Sequence, residues 1–142
     1  MPPLPPESPE PAAPRAHVLV VDDDEDLRGW LKAKLKKAGY LVTLAESGDA
    51  ALSLLMRNSY DAMLIDVLMP GSSGHDTVRA WRTLHPDFTL PVLFLSSMAS
   101  KNDIAAGLEA GGDDYLTKPV STEVLLAKVQ AAIRARRRLL AR

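Results

Sequence analysis

Short apolar runs, each ending in a polar or ionisable site, set the pattern of this chain. Four such runs occupy residues 17–21, 62–65, 91–95 and 114–117. Apolar runs of this length between polar breaks predict strands buried on both faces, which is typical of a parallel sheet. A further strand is predicted over 40–44.

Between these strands, apolar residues recur at the spacing of an α-helix. The first predicted helix passes through Leu27, Leu31 and Leu35, stops at Gly39, and has Asp24 or Asp26 as its N-cap. Four more helices are predicted: 48–58 with Ala51, Leu52, Leu55 and Met56 inward; one through Thr77, Val78, Trp81 and Leu84; one carrying Ile104, Gly107 and Leu108; and one starting near Ser121.

Five strands alternating with five helices predict an α/β fold, a three-layer sandwich around a parallel sheet. Right-handed crossovers favour the flavodoxin-like strand order 2-1-3-4-5. In such a sheet, ligands bind at the carboxyl ends of the strands, at the switch between strands one and three. Asp22 and Asp23 follow strand one, Asp66 follows strand three, and Ser96 and Lys118 follow strands four and five. We therefore expect these side chains to meet in one crevice.

Composition narrows the class of protein. The chain has 142 residues, a net charge of −1 and no cysteine, so disulfides and thiolate metal sites are excluded. No apolar stretch approaches the roughly 20 residues that cross a bilayer, and we expect a cytoplasmic protein without membrane contact. Residues 1–16 hold seven of the eleven prolines and predict a disordered tail or linker. The domain is expected over 17–139, with 140–142 ending the last helix or starting a linker.

The crevice suits metal-assisted phosphoryl chemistry. Two carboxylates about 4 Å apart repel by about 4 kcal/mol at an effective dielectric near 20, so three of them need a cation. A hard divalent ion with oxygen ligands, Mg²⁺ or in its place Mn²⁺, meets that need and shares phosphate oxygens with a substrate. Once neutralised, one carboxylate can attack phosphorus. Lys118 supplies a positive charge and Ser96 a hydroxyl.

Four motifs in register carry a family resemblance. Val20-Val21-Asp22-Asp23, Asp66-Val67-Leu68-Met69-Pro70 with Gly74, Leu95-Ser96-Ser97 and Lys118-Pro119 resemble the receiver domain of two-component response regulators. The resemblance covers residues 17–139. It implies that Asp66 accepts phosphate from a histidine kinase or a histidine phosphotransfer protein.

The resemblance also implies roles for the neighbouring residues. Asp23, Asp66 and the Leu68 carbonyl would bind Mg²⁺ directly, and Asp22 largely through water. Lys118 would pair with phosphoryl oxygens, and its bond to Pro119 would be cis. Ser96 and Tyr115 would form a switch that changes the face built by helix four, strand five and helix five, through which a homodimer could form.

Two apolar positions near the expected phosphoryl group bear on how fast that group is lost. Leu68 and Met98 are both apolar and, by the resemblance, flank the attacking water, which suggests slow self-dephosphorylation.

Several groups are assigned no catalytic part. His17, His75 and His85 lack metal-ligand spacing and are expected to lie at the surface or at helix caps. The arginine cluster is expected to lie at a solvated helix end and not to bind nucleic acid directly. It comprises Arg134, Arg136, Arg137, Arg138 and Arg142.

Two other functions remain open. A haloacid-dehalogenase-like phosphatase also has aspartates spaced by two, here Asp22 and Asp24, and a later acidic pair, here Asp113-Asp114. Its lysine should precede that pair, whereas Lys118 follows it. The other alternative is an adaptor that keeps the fold and binds a partner without phosphorylation. The intact acceptor, metal and lysine positions argue against it.

Overall fold

The computed structural model describes residues 15–86, 89–97 and 101–141. Residues 1–14 of the predicted tail, Met98, and Arg142 of the arginine cluster lie outside the described residues. Strands and helices alternate in the order β1 (His17–Val21), α1 (Glu25–Lys37), β2 (Leu41–Ala45), α2 (Gly48–Arg57), β3 (Ala62–Asp66), α3 (Gly74–Leu84), β4 (Val92–Ser96), α4 (Lys101–Ala110), β5 (Asp114–Thr117) and α5 (Thr122–Leu140).

The strands form one parallel sheet in the order β2-β1-β3-β4-β5, as predicted. Val21 at the end of β1 pairs with Ala45 in β2 and with Ile65 in β3. Asp66 pairs with Leu95 in β4. The carboxyl ends of β1, β3 and β4 are therefore level, and the residues that follow them lie along one edge.

Alternate residues of each strand pack into two separate cores, because successive side chains point to opposite faces. One core joins the sheet to α2 and α3, and the other joins it to α1 and α5. In β1, Leu19 belongs to the first core and Val20 to the second, and both are fully buried. Burying a side chain of this size contributes roughly 1.5–3 kcal/mol, so β1 anchors both layers.

Local signals explain where the helices begin. Asp24 caps α1, since its carboxylate accepts hydrogen bonds from the N–H groups of Asp26 and Leu27 at 3.0 and 3.2 Å. Ser121 caps α5 in the same way through Val124 N–H. The helix starts predicted for these two elements are confirmed.

Three details differ from the sequence expectation. Tyr40 does not start β2, because its N–H donates to the Leu35 carbonyl and closes the last turn of α1. Met56 is 63% exposed rather than inward. It lies one residue beyond Leu55, about 100° round the helix from the buried face. Ala16, placed in the tail by its sequence, is buried, and its carbonyl accepts a hydrogen bond from Leu41 N–H.

The last turn of α3 buries an arginine instead of a leucine. Leu84 is 60% exposed, whereas Arg82 is 4% exposed. The Arg82 guanidinium donates to the Leu90 carbonyl at 2.7 Å and to the Gly111 carbonyl at 2.9 Å. These bonds offset the cost of burying the charge, which is otherwise prohibitive. Arg82 thereby ties α3 to the chain segments on either side of β4.

Candidate functional site

Three carboxylates meet at the switch point of the sheet, where the sequence predicts them. Asp22 follows β1 and is fully buried, Asp66 ends β3 and is 5% exposed, and Asp23 is exposed. One carboxylate oxygen from each lies within 4.8 Å of the other two. The backbone holds Asp22 in place, since its N–H donates to the Ala45 carbonyl and its Oδ1 accepts from Asp24 N–H at 2.9 Å.

Lys118 brings a positive charge to this cluster from the end of β5. Its Nζ lies 3.2 Å from Asp66 Oδ1 and 3.5 Å from Asp22 Oδ2. The longer separation is an ion pair at the outer limit of hydrogen bonding, and Asp22 Oδ2 makes no hydrogen bond among the described residues. The peptide bond from Lys118 to Pro119 is cis, which confirms the expectation.

Several effects act on the pKa values of Asp66 and Lys118, and they partly cancel. Burial raises the pKa of Asp66, as does the neighbouring Asp22 carboxylate, while Lys118 and the Leu68 N–H lower it, and the net direction is upward. Burial lowers the pKa of Lys118, but Asp22 and Asp66 outweigh that effect and raise it. The lysine is therefore held charged, and its single positive charge does not balance the three carboxylates of the cluster.

The cluster fits a hard divalent cation. Its donors are carboxylate oxygens at strand ends, and one of them, Asp22 Oδ2, is buried without a hydrogen bond to any described residue. A buried oxygen of this kind needs a partner, which an oxygen-preferring ion such as Mg²⁺ supplies through one of its bound waters. Asp22, Asp23 and Asp66 are the candidate metal residues.

The loop after β3 approaches Asp66 closely at Gly74. Its N–H donates to the Val67 carbonyl at 3.0 Å. A Cβ at this position would collide with the carbonyl of Asp66, so only glycine fits without a shift of the backbone. Ser73 then caps α3 by accepting from Asp76 N–H. Leu68, in the same loop, has a 60% exposed side chain beside the site.

Ser96 and Tyr115 lie on the two strands beyond Asp66. Ser96 is buried at the end of β4, and its carbonyl accepts from Lys118 N–H at 2.9 Å. Tyr115 is 8% exposed and packs in the core that contacts α2 and α3. Its hydroxyl donates to the Asp103 carbonyl at 2.6 Å and lies 2.8 Å from His75 Nε2.

Two polar residues that were expected at the surface instead contact other parts of the fold. Arg136, in the predicted solvated cluster, donates to the Tyr60 carbonyl at 2.9 Å and to Asp61 Oδ1 at 3.1 Å, which corrects that expectation. His75 is half-buried, its ring 4.8 Å from that of Phe94. No local sequence signal indicates either contact, since the Arg136 partners lie 76 and 75 residues away and Tyr115 lies 40 away from His75.

The other two histidines and the acidic pair Asp113-Asp114 also contact neighbouring residues of the fold. His17 Nε2 lies 2.6 Å from Thr43 Oγ1, and the His85 ring, at the C-cap of α3, stacks on Trp81. Asp113 accepts a hydrogen bond from Val92 N–H at 2.8 Å. Asp114 pairs with Lys128 at 3.0 Å. The acidic pair required by the phosphatase alternative is thus used to hold β4 and α5.

A parallel α/β sandwich with an acidic cluster and a lysine at its switch point defines a class of phosphoryl-transfer or metal-binding domain. The family model described as "Response regulator receiver domain" matches residues 18–130, and the chain belongs to this family. Flavodoxin-like topology, in the order predicted from the sequence, is also found in its structural neighbours.

Individual relatives support the same assignment. Response regulator MprA of Mycobacterium sp. (strain KMS) is 44% identical over 82% of this chain and 50% of its own. Transcriptional regulatory protein CpxR of Escherichia coli (strain K12) is 42% identical over 82% of this chain and 49% of its own. A putative response regulator from Chloroflexus aurantiacus superimposes with a TM-score of 0.81 at 36% identity, covering 85% of this chain and 99% of its own.

The chain spans about half the length of the curated relatives it matches. The expectation that the protein does not bind nucleic acid gains no support from these relatives, because CpxR is named as a transcriptional regulatory protein. Among the described residues, no helix has both the length and the apolar character needed to cross a membrane.

Proposed function

We propose that Asp66 is the phosphoacceptor of this receiver domain and takes its phosphoryl group from a histidine kinase or a histidine phosphotransfer protein. One observation carries the proposal. The Asp66 carboxylate is buried at the end of a central strand, 3.2 Å from Lys118 Nζ and within a cluster of three carboxylates. A nucleophile, a counter-charge for phosphoryl oxygens and a metal site thus share one edge.

The reaction is a transfer between two protein side chains. A carboxylate oxygen of Asp66 forms a bond to phosphorus while the phosphorus–nitrogen bond to the donor imidazole breaks, and the electron pair of that bond stays on the nitrogen. Lys118 stabilises negative charge on the equatorial oxygens. The chain promotes its own phosphorylation and dephosphorylation only, and turns over no external substrate.

Mg²⁺, or Mn²⁺ in its place, would be held by Asp23, Asp66 and the Leu68 carbonyl, with Asp22 acting mainly through water. Bound there, the ion would neutralise the carboxylates and the phosphoryl oxygens. Asp22 and Lys118 orient each other through their 3.5 Å ion pair, which keeps both groups directed into the site.

Ser96 and Tyr115 form the proposed switch. Ser96 would donate its hydroxyl to the phosphoryl group, and Tyr115 would change its position with it. Both residues lie on neighbouring strands, with Ser96 paired to Thr117 two residues after Tyr115. The change biases the face built from α4, β5 and α5, which is the proposed homodimer surface.

A donor protein would approach Lys118 from the α1 side. A cavity of about 410 Å³ lies beside this residue and is lined by apolar and charged groups, namely Asp24, Leu27, Trp30, Lys118, Pro119 and Val120. Its apolar wall offers a contact area beside the phosphoacceptor that a partner helix would cover.

Incubation with acetyl phosphate and Mg²⁺, followed by mass spectrometry of the intact chain and its peptides, tests the proposal. We expect one acid-stable, base-labile phosphoryl group, located on Asp66 and absent in the isosteric Asp66→Asn variant. Multiple turnover that depends on Asp22 would instead indicate a phosphatase. Partner binding that is the same in Asp66→Asn and in the phosphorylated protein would indicate an adaptor.

A further inference from the structure

Tyr115 is buried and contacts residues of both α3 and α4. Its ring lies 5.4 Å from that of Phe94, and its hydroxyl donates to the main-chain carbonyl of Asp103 at 2.6 Å. A phenol carries one proton and accepts through its oxygen lone pairs. The proton is used on Asp103, because a carbonyl can only accept. Any second partner of the phenol must therefore be a donor.

His75 is that second partner. Its Nε2 lies 2.8 Å from the phenol oxygen, so Nε2 must carry the proton that completes this hydrogen bond. The imidazole is fixed from another side by its edge-to-face contact with Phe94, with ring centroids 4.8 Å apart and planes at 85°. Tyr115 is thus held by α4 through an acceptor and by α3 through a donor.

Gly107 provides the space that this position needs. A Cβ on Gly107 would collide with the hydroxyl and ring of Tyr115. The inward position of the ring therefore depends on two features of the surrounding helices, namely the imidazole donor of His75 and the lack of a side chain at Gly107.

We propose that His75 is a positioning residue for Tyr115, whose Nε2–H holds the phenol in the inward position against α4 and so biases the face built from α4, β5 and α5. The consequence for signalling rests on the proposed function. The position of the ring does not, because the hydrogen bond is formed by His75 and Tyr115 alone.

The test labels the three tyrosines with 3-fluorotyrosine and measures how strongly a neutral nitroxide broadens each ¹⁹F signal. Tyr115→Phe assigns the signal, and the buried Tyr60 serves as an internal reference. His75→Leu removes the donor at similar volume, whereas His75→Gln keeps an N–H near the position of Nε2. His85→Leu is the matched control, because His85 stacks on Trp81 and not on Tyr115.

We expect His75→Leu to lower the inward-to-outward ratio of Tyr115 roughly 2- to 10-fold, the factor of one net hydrogen bond. His75→Gln and His85→Leu should leave the ratio within roughly twofold of the parent chain, whereas Gly107→Ala should drive the ring outward. The proposal is overturned if the inward-to-outward ratio in His75→Leu stays within roughly twofold of the parent chain, as it does in the control His85→Leu. Equal exposure in the Leu and Gln variants also overturns it, since packing alone would then explain the effect.

If circular dichroism shows that His75→Leu does not fold, His75→Asn replaces it, because its shorter amide cannot reach the phenol. All of these measurements are made without a phosphodonor. A repeat with acetyl phosphate and Mg²⁺ then reports on Asp66 separately. If Asp66 takes no phosphate, the proposed function fails while the result on His75 stands.

Discussion

Lys118 is the single cation described within ion-pair distance of Asp66, and its removal has a calculable effect. Lys118→Met keeps the length of the side chain and deletes the charge. With separations of 3.2 and 3.5 Å and an effective dielectric near 20, each ion pair has a Coulomb energy of about 5 kcal/mol. The variant also no longer has to desolvate an ammonium group, so its loss of stability is smaller than the sum of the two Coulomb energies.

The net loss should match the roughly 3–5 kcal/mol seen when one partner of a buried ion pair is removed. Nζ faces two buried carboxylates and the lysine side chain is only 25% exposed, so solvent screening is modest. Chemical denaturation in the absence of divalent ions measures this loss. At about 4 °C per kcal/mol for a domain of this size, the melting temperature should fall by more than about 10 °C.

Mg²⁺ should restore much of the stability of Lys118→Met, since the ion replaces the missing positive charge. A ligand at about 100 times its dissociation constant stabilises the folded state by about 2.7 kcal/mol. Lys128→Met is the matched control. Lys128 pairs with Asp114 at 3.0 Å, but it is 35% exposed and lies outside the acidic cluster, so its loss should be smaller and independent of Mg²⁺. The reasoning is refuted if Lys118→Met is as stable as the parent chain, or if Mg²⁺ stabilises both variants equally.

Three further predictions concern single residues around the site. Burial and the nearby Arg79 lower the pKa of His75 below its ordinary value of about 6.5, so the unfolded chain binds more protons just below that pH. The stability that neutral His75 contributes should be fully present above about pH 6.5 and be lost as the pH falls through its folded pKa, by at most about 1.4 kcal/mol per pH unit. Urea titrations at several pH values should therefore give a steeper dependence of stability on pH for the parent chain than for His75→Gln. Equal slopes would contradict the prediction. Gly74→Ala should cost roughly 1–3 kcal/mol in denaturant unfolding, because the new Cβ would collide with the Asp66 carbonyl. Gly29→Ala should instead stabilise α1 by roughly 0.5–1 kcal/mol, because among the described residues its Cβ would meet nothing outside the backbone of α1 within 4 Å. Equal effects of the two substitutions would rule out the close approach to the Asp66 carbonyl. Leu68→Asn should shorten the lifetime of the phosphorylated form, followed by loss of the phosphorylated mass, and a longer lifetime in the variant would contradict the role given to this exposed apolar residue.

The arrangement of strands and the convergence of Asp22, Asp23, Asp66 and Lys118 follow from local patterns. An apolar run specifies a strand buried on both faces, and the residue after it must lie at the carboxyl end of the sheet. Strand order then brings these residues together without further information. The acidic cluster was predictable for this reason.

Buried polar contacts were not predictable in the same way. Periodicity counts apolar residues, so it placed Leu84 in the helix pattern and gave no sign that Arg82 would be buried there. The choice between them depends on carbonyl groups of Leu90 and Gly111, which only the folded chain brings within reach. The contact of His75 with Tyr115 likewise depends on the packing of α3 against β5.

Because side chains alternate between the two cores, the two layers of helices pack against different residues of each strand. Tyr115 belongs to the core shared with α2 and α3, whereas its neighbour Leu116 belongs to the core shared with α1 and α5. A substitution at Leu116 therefore alters the packing of α1 and α5 while leaving the surroundings of Tyr115 in place. Selection can thus change the packing of α1 and α5 at Leu116 without replacing any residue of the core that contains Tyr115.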